Sequence, residues 1–114
     1  MIDFERAEKA AEFIRDNAKD YGDLVGHCKS LEHQRKVVLG AAFLDAKGND
    51  PKRSVGECDA RAQTSPEFKS IVEDIENAWA EKTTIETKIK AAELTIELWR
   101  SINSYDKRMD RSHR

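Results

Sequence analysis

The amino-acid sequence predicts an all-α protein, an antiparallel coiled-coil-like helical hairpin of two long helices with a short connecting helix. Both halves of the 114-residue chain carry apolar residues at alternating steps of three and four, which is coiled-coil spacing. A polar connector containing Gly48 and Pro51 separates the two halves. Because this length is typical of one domain, we treat residues 1–114 as a single helical domain.

The first helix is predicted over about residues 3–46. Asp3 can accept hydrogen bonds from the free amides of the first turn, which marks the start. Gly22, Gly26 and Gly40 each weaken a helix by about 1 kcal/mol relative to alanine, so a break between Gly22 and Gly26 is left open. The apolar stripe of this helix is Phe4, Ala7, Ala11, Ile14, Ala18, Tyr21, Val25 and Cys28.

The connector is predicted over residues 47–64. The chain should reverse within residues 48–53, since glycine interrupts a helix and Asp-Pro favours an extended or turn conformation. A short helix should follow Ser54. Two cysteines are too few for a disulfide framework, so we expect thiols, with Cys28 in the core and Cys58 exposed in the connector.

The second long helix, third in chain order, is predicted over about residues 66–108, followed by a basic tail at 106–114. Ser65 is suited to cap the helix, and Pro66 is suited to its first position. The apolar stripe keeps one heptad register with a single polar member. It consists of Phe68, Ile71, Ile75, Ala78, Lys82, Ile85, Ile89, Ala92, Ile96 and Trp99.

The composition argues against an enzyme. Charged residues make up 37% of the chain and hydrophobic residues 39%, a balance typical of coiled coils with solvated outer faces. The sequence contains no glycine-rich phosphate loop and no nucleophile elbow. His27, Cys28, Glu32 and His33 lie close together, but their spacing differs from that of known zinc motifs. We therefore expect no catalysis, no cofactor and no metal.

The start of the sequence contains neither a basic leader nor an uninterrupted apolar stretch. Neither a secretory signal nor a membrane span is therefore expected, and we predict a cytoplasmic protein without a membrane partner.

Charge is unevenly distributed along the second long helix. Residues 67–97 hold eight acidic and four basic side chains, whereas the following segment is basic. We expect weak, sequence-independent contact with DNA, because cations near a chain end can bind phosphates. The alternative is a solvated helix end whose cations interact with the helix dipole. The candidate nucleic-acid contacts are Arg100, Lys107, Arg108, Arg111 and Arg114.

Several large apolar residues lie beside the two stripes. Core packing is the first explanation for Trp79, but aromatic residues flanking a coiled-coil stripe also favour a binding interface. Since the chain is small, we expect a homo-oligomer, and we also expect docking of a protein partner. The candidate interface residues are Val72, Trp79, Val37, Phe43 and Leu44.

Three segments resemble a family of small helical proteins of tailed bacteriophages and prophages, often encoded near recombination genes. They are DFERAEKAAEFIRDNAK at 3–19, SPEFKSIVEDI at 65–75 and IKAAELTIELWRS at 89–101. The resemblance implies a non-enzymatic accessory or adaptor in phage DNA recombination or replication, acting in the host cytoplasm through a protein partner. The alternative is an inhibitor of a host nuclease or anti-phage defence complex, acting through the acidic face of the second long helix.

Overall fold

The structure is a computed structural model that describes residues 3–112, with side chains up to Met109. It contains three helices, α1 (Phe4–Asn49), α2 (Val55–Gln63) and α3 (Pro66–Ser112), and the described residues contain no strand. The two long helices pack against each other, and the short helix lies between them in the chain. The predicted all-α helical hairpin is therefore confirmed.

The long helix α1 starts where the sequence predicts. The Asp3 carboxylate accepts a hydrogen bond from the Arg6 backbone N–H at 2.9 Å, which satisfies a free amide of the first turn. The helix continues without a break through Gly22 and Gly26, and no glycine among the described residues has a positive φ. The open question of a break is thus resolved in favour of one continuous helix.

The end of α1 lies three residues beyond the predicted end near Ala46. The Asp50 backbone N–H still donates to the Ala46 carbonyl at 3.4 Å, so the helical hydrogen-bond pattern continues past Gly48. Pro51 then ends it, because proline has no N–H to donate and disfavours a helical conformation in the residue before it.

Hydrogen bonds of Arg53 connect the connector to the end of α1. Its guanidinium donates to the Ala46 carbonyl at 2.8 Å, and the Lys47 ammonium donates to the Arg53 carbonyl. The Ala46 carbonyl thus accepts from Arg53 as well as from the Asp50 N–H, and the two side-chain bonds hold the connector against the last turn of α1. Ser54 caps the start of helix α2, since its hydroxyl accepts a hydrogen bond from the Glu57 N–H at 3.1 Å.

The expectation that Cys58 is exposed is wrong. Cys58 is 0% exposed, and Ala62, one helical turn later, is also buried. Residues four apart lie on the same side of a helix, so these two form the inward face of α2. The sequence places Cys58 in the connector correctly, but the connector is itself a helix with a buried side.

Helix α3 begins as predicted and ends four residues later than predicted. The Ser65 hydroxyl accepts from the Phe68 N–H at 3.3 Å, and Pro66 takes the first helical position. The helix continues to Ser112, so residues 106–112 belong to α3 rather than to an irregular tail.

Contacts divide the chain into two units. The first consists of the described residues up to Gly22 together with those from Thr83 onward. Here the ring centroids of Phe4 and Trp99 are 5.6 Å apart, and the Tyr21 hydroxyl donates to Glu86 Oε2 at 3.3 Å. Earlier residues of α1 thus meet later residues of α3, as in an antiparallel pair.

The second unit is Asp23–Lys82. It contains the later part of α1, all of α2 and the first part of α3. Its core brings two residues of α1 next to two of α3. The buried members are Cys28, Leu31, Ile71 and Ala78, with Val38, Phe68 and Ile75 packed against them.

The predicted stripe on α3 is confirmed, since every member is buried or half-buried. The predicted stripe on α1 is partly wrong, because Phe4, Ala11 and Ala18 are exposed. Ala10 and Asn17 occupy the half-buried positions instead, and Asn17 donates from its amide to the Phe13 carbonyl at 2.9 Å. The buried or half-buried residues of α1 up to the core are Ala7, Ala10, Phe13, Ile14, Asn17, Tyr21, Leu24, Val25, Cys28 and Leu31.

Candidate protein-binding surfaces

The largest of the exposed apolar side chains in the second unit is Trp79, which is 40% exposed. The Lys82 ammonium lies 4.2 Å from the centre of its ring, close enough for a cation–π interaction that limits the motion of the indole. Val72, seven residues earlier, lies on the same side of α3, because seven residues make almost two full turns. We call Val72, Glu76, Trp79 and Lys82 the Trp79 surface.

An open cleft of about 590 Å³ adjoins this surface in the second unit. Its cationic side chains outnumber its carboxylates, so it favours ligands with negative charge. Val72 and Glu76 belong both to the cleft and to the Trp79 surface. The lining residues are Lys29, Glu32, His33, Arg35 and Lys36 from α1 and Val72, Ile75 and Glu76 from α3.

The structure does not bring all five predicted interface residues together. Val37 and Leu44 are exposed, and Phe43 is half-buried. At about 100° per residue, Val37 and Leu44 lie roughly 120–140° around α1 from the buried Leu31. They therefore occupy an outer side of α1, whereas Val72 lines the cleft.

Helix α3 also carries a second apolar stripe, which was not predicted from the sequence. Leu94, Leu98, Tyr105 and Met109 are all exposed, and they lie within about 60° of one another around the helix. We call these four residues the α3 outer stripe. They belong to the first unit and lie on the side of α3 away from its packed stripe. The signal was present in the sequence as a second series of heptad spacings.

The predicted nucleic-acid contacts are only partly described. Arg100, Lys107 and Arg108 are exposed, and Arg108 has a polar interaction within the chain. Arg100 and Lys107 are seven residues apart and so share one side of α3. Arg111 and Arg114 lie outside the residues whose side chains the structure describes.

The carboxylates of α3 do not converge on one side. Glu73, Asp74 and Glu76 are exposed, but a rotation of about 100° per residue separates Asp74 from both of its acidic neighbours. Exposed carboxylates spaced in this way form a solvated surface rather than a single acidic stripe.

The histidines and cysteines considered as metal ligands are separated by the fold. Cys28 is buried in the core, whereas His33 lines the cleft and His27 lines a different depression. Among residues 3–112, no three histidine, cysteine or carboxylate side chains are grouped to hold a metal ion.

The helices within the described part of the chain also lack a segment with the length and apolar character needed to cross a membrane. Comparisons with known proteins found no matching family model, no similar curated protein and no similar solved structure.

Proposed function

We propose that this protein is a non-enzymatic adaptor of phage DNA recombination or replication, which binds a protein partner at the Trp79 surface in the host cytoplasm. The observation that carries the proposal is the exposure of Trp79 beside a cationic cleft. The link to phage DNA metabolism comes from the sequence resemblance of residues 3–19, 65–75 and 89–101.

Trp79 has the properties of a binding anchor. Tryptophan dominates the energy of many protein interfaces, because its large ring gains much from removal of water. If Trp79 served only to pack the core, its ring would be buried, yet two-fifths of the side chain is exposed. The contact with Lys82 already restricts the ring, which lowers the entropy lost on binding.

The chemistry of the cleft indicates the kind of partner. Lys29, Arg35 and Lys36 supply positive charge from α1, and Val72 and Ile75 supply apolar surface from α3. An amphipathic helix that carries carboxylates along one edge of an apolar stripe matches both features. DNA contact through Arg100 and Lys107 would be a second, weaker interaction.

The proposal is tested by purifying the partner from phage-infected cells and measuring its affinity for variants of the full chain. Trp79→Ala should weaken binding by about thirtyfold, the effect of losing a typical interface hot spot. Val55→Ala is the matched control, since Val55 is exposed on α2 and lies outside the Trp79 surface, and it should bind as the wild type does.

Two outcomes would change the conclusion. Equal affinity for Trp79→Ala and wild type would remove the Trp79 surface from the proposal. Recovery of a host nuclease or defence protein, in place of a phage recombination protein, would favour the alternative role as a host inhibitor.

A further inference from the structure

Most side chains on the side of α3 that carries the outer stripe are uncharged, with Arg108 as an exception. Toward the N-terminus from Leu94, its side of the helix continues through small, exposed side chains: Thr84, Thr87 and Ala91. Lys90 and Glu97 are exposed and flank the stripe along one edge. One face of α3 therefore carries mainly large side chains in one half and small side chains in the other. Its charged members are Lys90, Glu97 and Arg108.

We propose that this face binds a second copy of the chain, with the two α3 helices antiparallel and Leu94 of each facing Ala91 of the other. The contacts that set this register lie within residues 87–98 and involve no member of the Trp79 surface. The face is complementary to itself in side-chain size and in charge, and for this reason we infer that its partner is a second copy of the chain.

Side-chain size supports this pairing. In the proposed register, Leu94 meets the second copy's Ala91, and Leu98 meets the second copy's Thr87. A large side chain thus faces a small one in each layer, and a two-fold axis repeats every contact. Leu94 and Leu98 are 64% and 50% exposed in the single chain, so both have surface to bury.

Charge supports the same register. Lys90 and Glu97 occupy equivalent edge positions in successive heptads, and such positions face each other in an antiparallel coiled coil. Lys90 of each chain then meets the second copy's Glu97, and symmetry forms this pair twice. Within the described chain, neither side chain has a partner that could compete, since no ion pair or hydrogen bond involves it.

Parallel pairing lacks these advantages. It would place Leu98 against the second copy's Leu98 and Arg108 against the second copy's Arg108, so like charges would meet at an inner position. Lys90 would face the uncharged Thr95, and Glu97 would face Ile102. Over residues 87–98, the antiparallel arrangement is the one in which both side-chain size and charge match.

Charge-swap variants of the full chain test the register by sedimentation equilibrium. The wild type should form a dimer at micromolar concentration, and Leu98→Asp should be monomeric. Lys90→Glu alone and Glu97→Lys alone should each raise the dissociation constant about tenfold, because two attractive pairs become repulsive. An equimolar mixture of these two variants should restore dimerisation, since each chain then carries the charges that the other needs. Circular dichroism would verify that each variant keeps its helical content.

Disulfide trapping gives a second readout. A mixture of Thr87→Cys and Leu98→Cys chains should form a cross-linked dimer under mild oxidation, whereas neither variant should cross-link efficiently alone. The native cysteines, Cys28 and Cys58, are buried and serve as the internal background.

Three results would overturn the proposal. They are a monomeric wild type throughout the concentration range, failure of the mixed charge variants to restore the dimer, and efficient cross-linking of Leu98→Cys to itself, which would indicate parallel helices.

Discussion

The burial of Cys58 identifies the inward side of the short helix α2 in the connector. It is the largest side chain with essentially no exposed surface among the described residues, although the sequence places it in a polar segment. Ser54 and Glu57 fix the first turn of α2, and that turn directs Cys58 inward. The sequence indicated the short helix, but a nine-residue helix has too few apolar positions to reveal its buried side.

We predict that both thiols are protected in the folded protein and that Cys58→Ser is destabilising. A hydroxyl in place of a fully buried thiol loses hydrogen bonds to water, so the free energy of unfolding should fall by about 1–2 kcal/mol. Urea unfolding measures the loss, and thiol labelling in the native state measures the protection. Rapid labelling of Cys58 without denaturant would contradict the packing of α2. Thr87→Cys, at an exposed position, provides the reactive reference.

Ile89 tests the packed stripe of α3. We predict that Ile89→Asp lowers the free energy of unfolding by about 3 kcal/mol, because it puts an unpaired charge between the long helices. Thermal or urea unfolding measures the change. Lys88→Asp is the matched control, since this neighbouring side chain is exposed, and its effect should stay within about 0.5 kcal/mol. Equal effects at the two positions would mean that α3 is rotated from the described arrangement.

At the scale of the helices, periodicity predicted α3 better than α1. Every predicted stripe position of α3 is buried or half-buried, because its isoleucines leave one clear heptad series. In α1 the adjacent Ala10 and Ala11 suit two series equally well, since both side chains are small and apolar. Only the packing against α3 decides between them, and it selects Ala10.

The glycines of α1 give a prediction about the helix as a whole. A Cβ atom added at Gly22, Gly26 or Gly40 would meet nothing within 4 Å, and none of these residues has a positive φ. Replacing all three by alanine should therefore raise the free energy of unfolding by about 2–3 kcal/mol, since alanine favours the helix at each position. A urea titration measures the gain. A loss of stability would show that at least one glycine is needed for a conformation other than a continuous helix.

For the whole molecule, the sequence predicted the architecture but only part of the binding surface. Heptad spacing and one breaker segment are enough to specify a hairpin, because each local pattern favours the same packed arrangement. The cleft depends on how α1 and α3 are rotated in the second unit, and a sequence pattern does not determine that rotation. The α3 outer stripe, by contrast, could have been predicted by searching α3 for a second heptad series.

Nucleic-acid binding by the whole protein remains a prediction. With few cations available, binding should be weak, independent of sequence and strongly reduced by salt, because phosphate contacts would dominate. Replacing Arg100 and Lys107 together by glutamate should abolish retention of single-stranded and duplex DNA, as measured by fluorescence anisotropy. Replacing Lys9 by glutamate is the control, since Lys9 lies on α1 and pairs with Glu5. Binding that is insensitive to salt would contradict a phosphate-dominated interaction.

The long sequence separation between paired residues of α1 and α3 also has a kinetic consequence. Arg53 reaches Ala46 across 7 residues, whereas Tyr21 reaches Glu86 across 65. The loop-closure entropy of the longer connection is larger by about 2 kcal/mol, so the turn around α2 is the favourable place for nucleation. Contacts between α1 and α3 should then form first next to α2 and afterwards progressively toward the chain ends. Amide hydrogen exchange should accordingly be slowest around Cys28 and Ile71 and become faster toward Phe4 and Trp99.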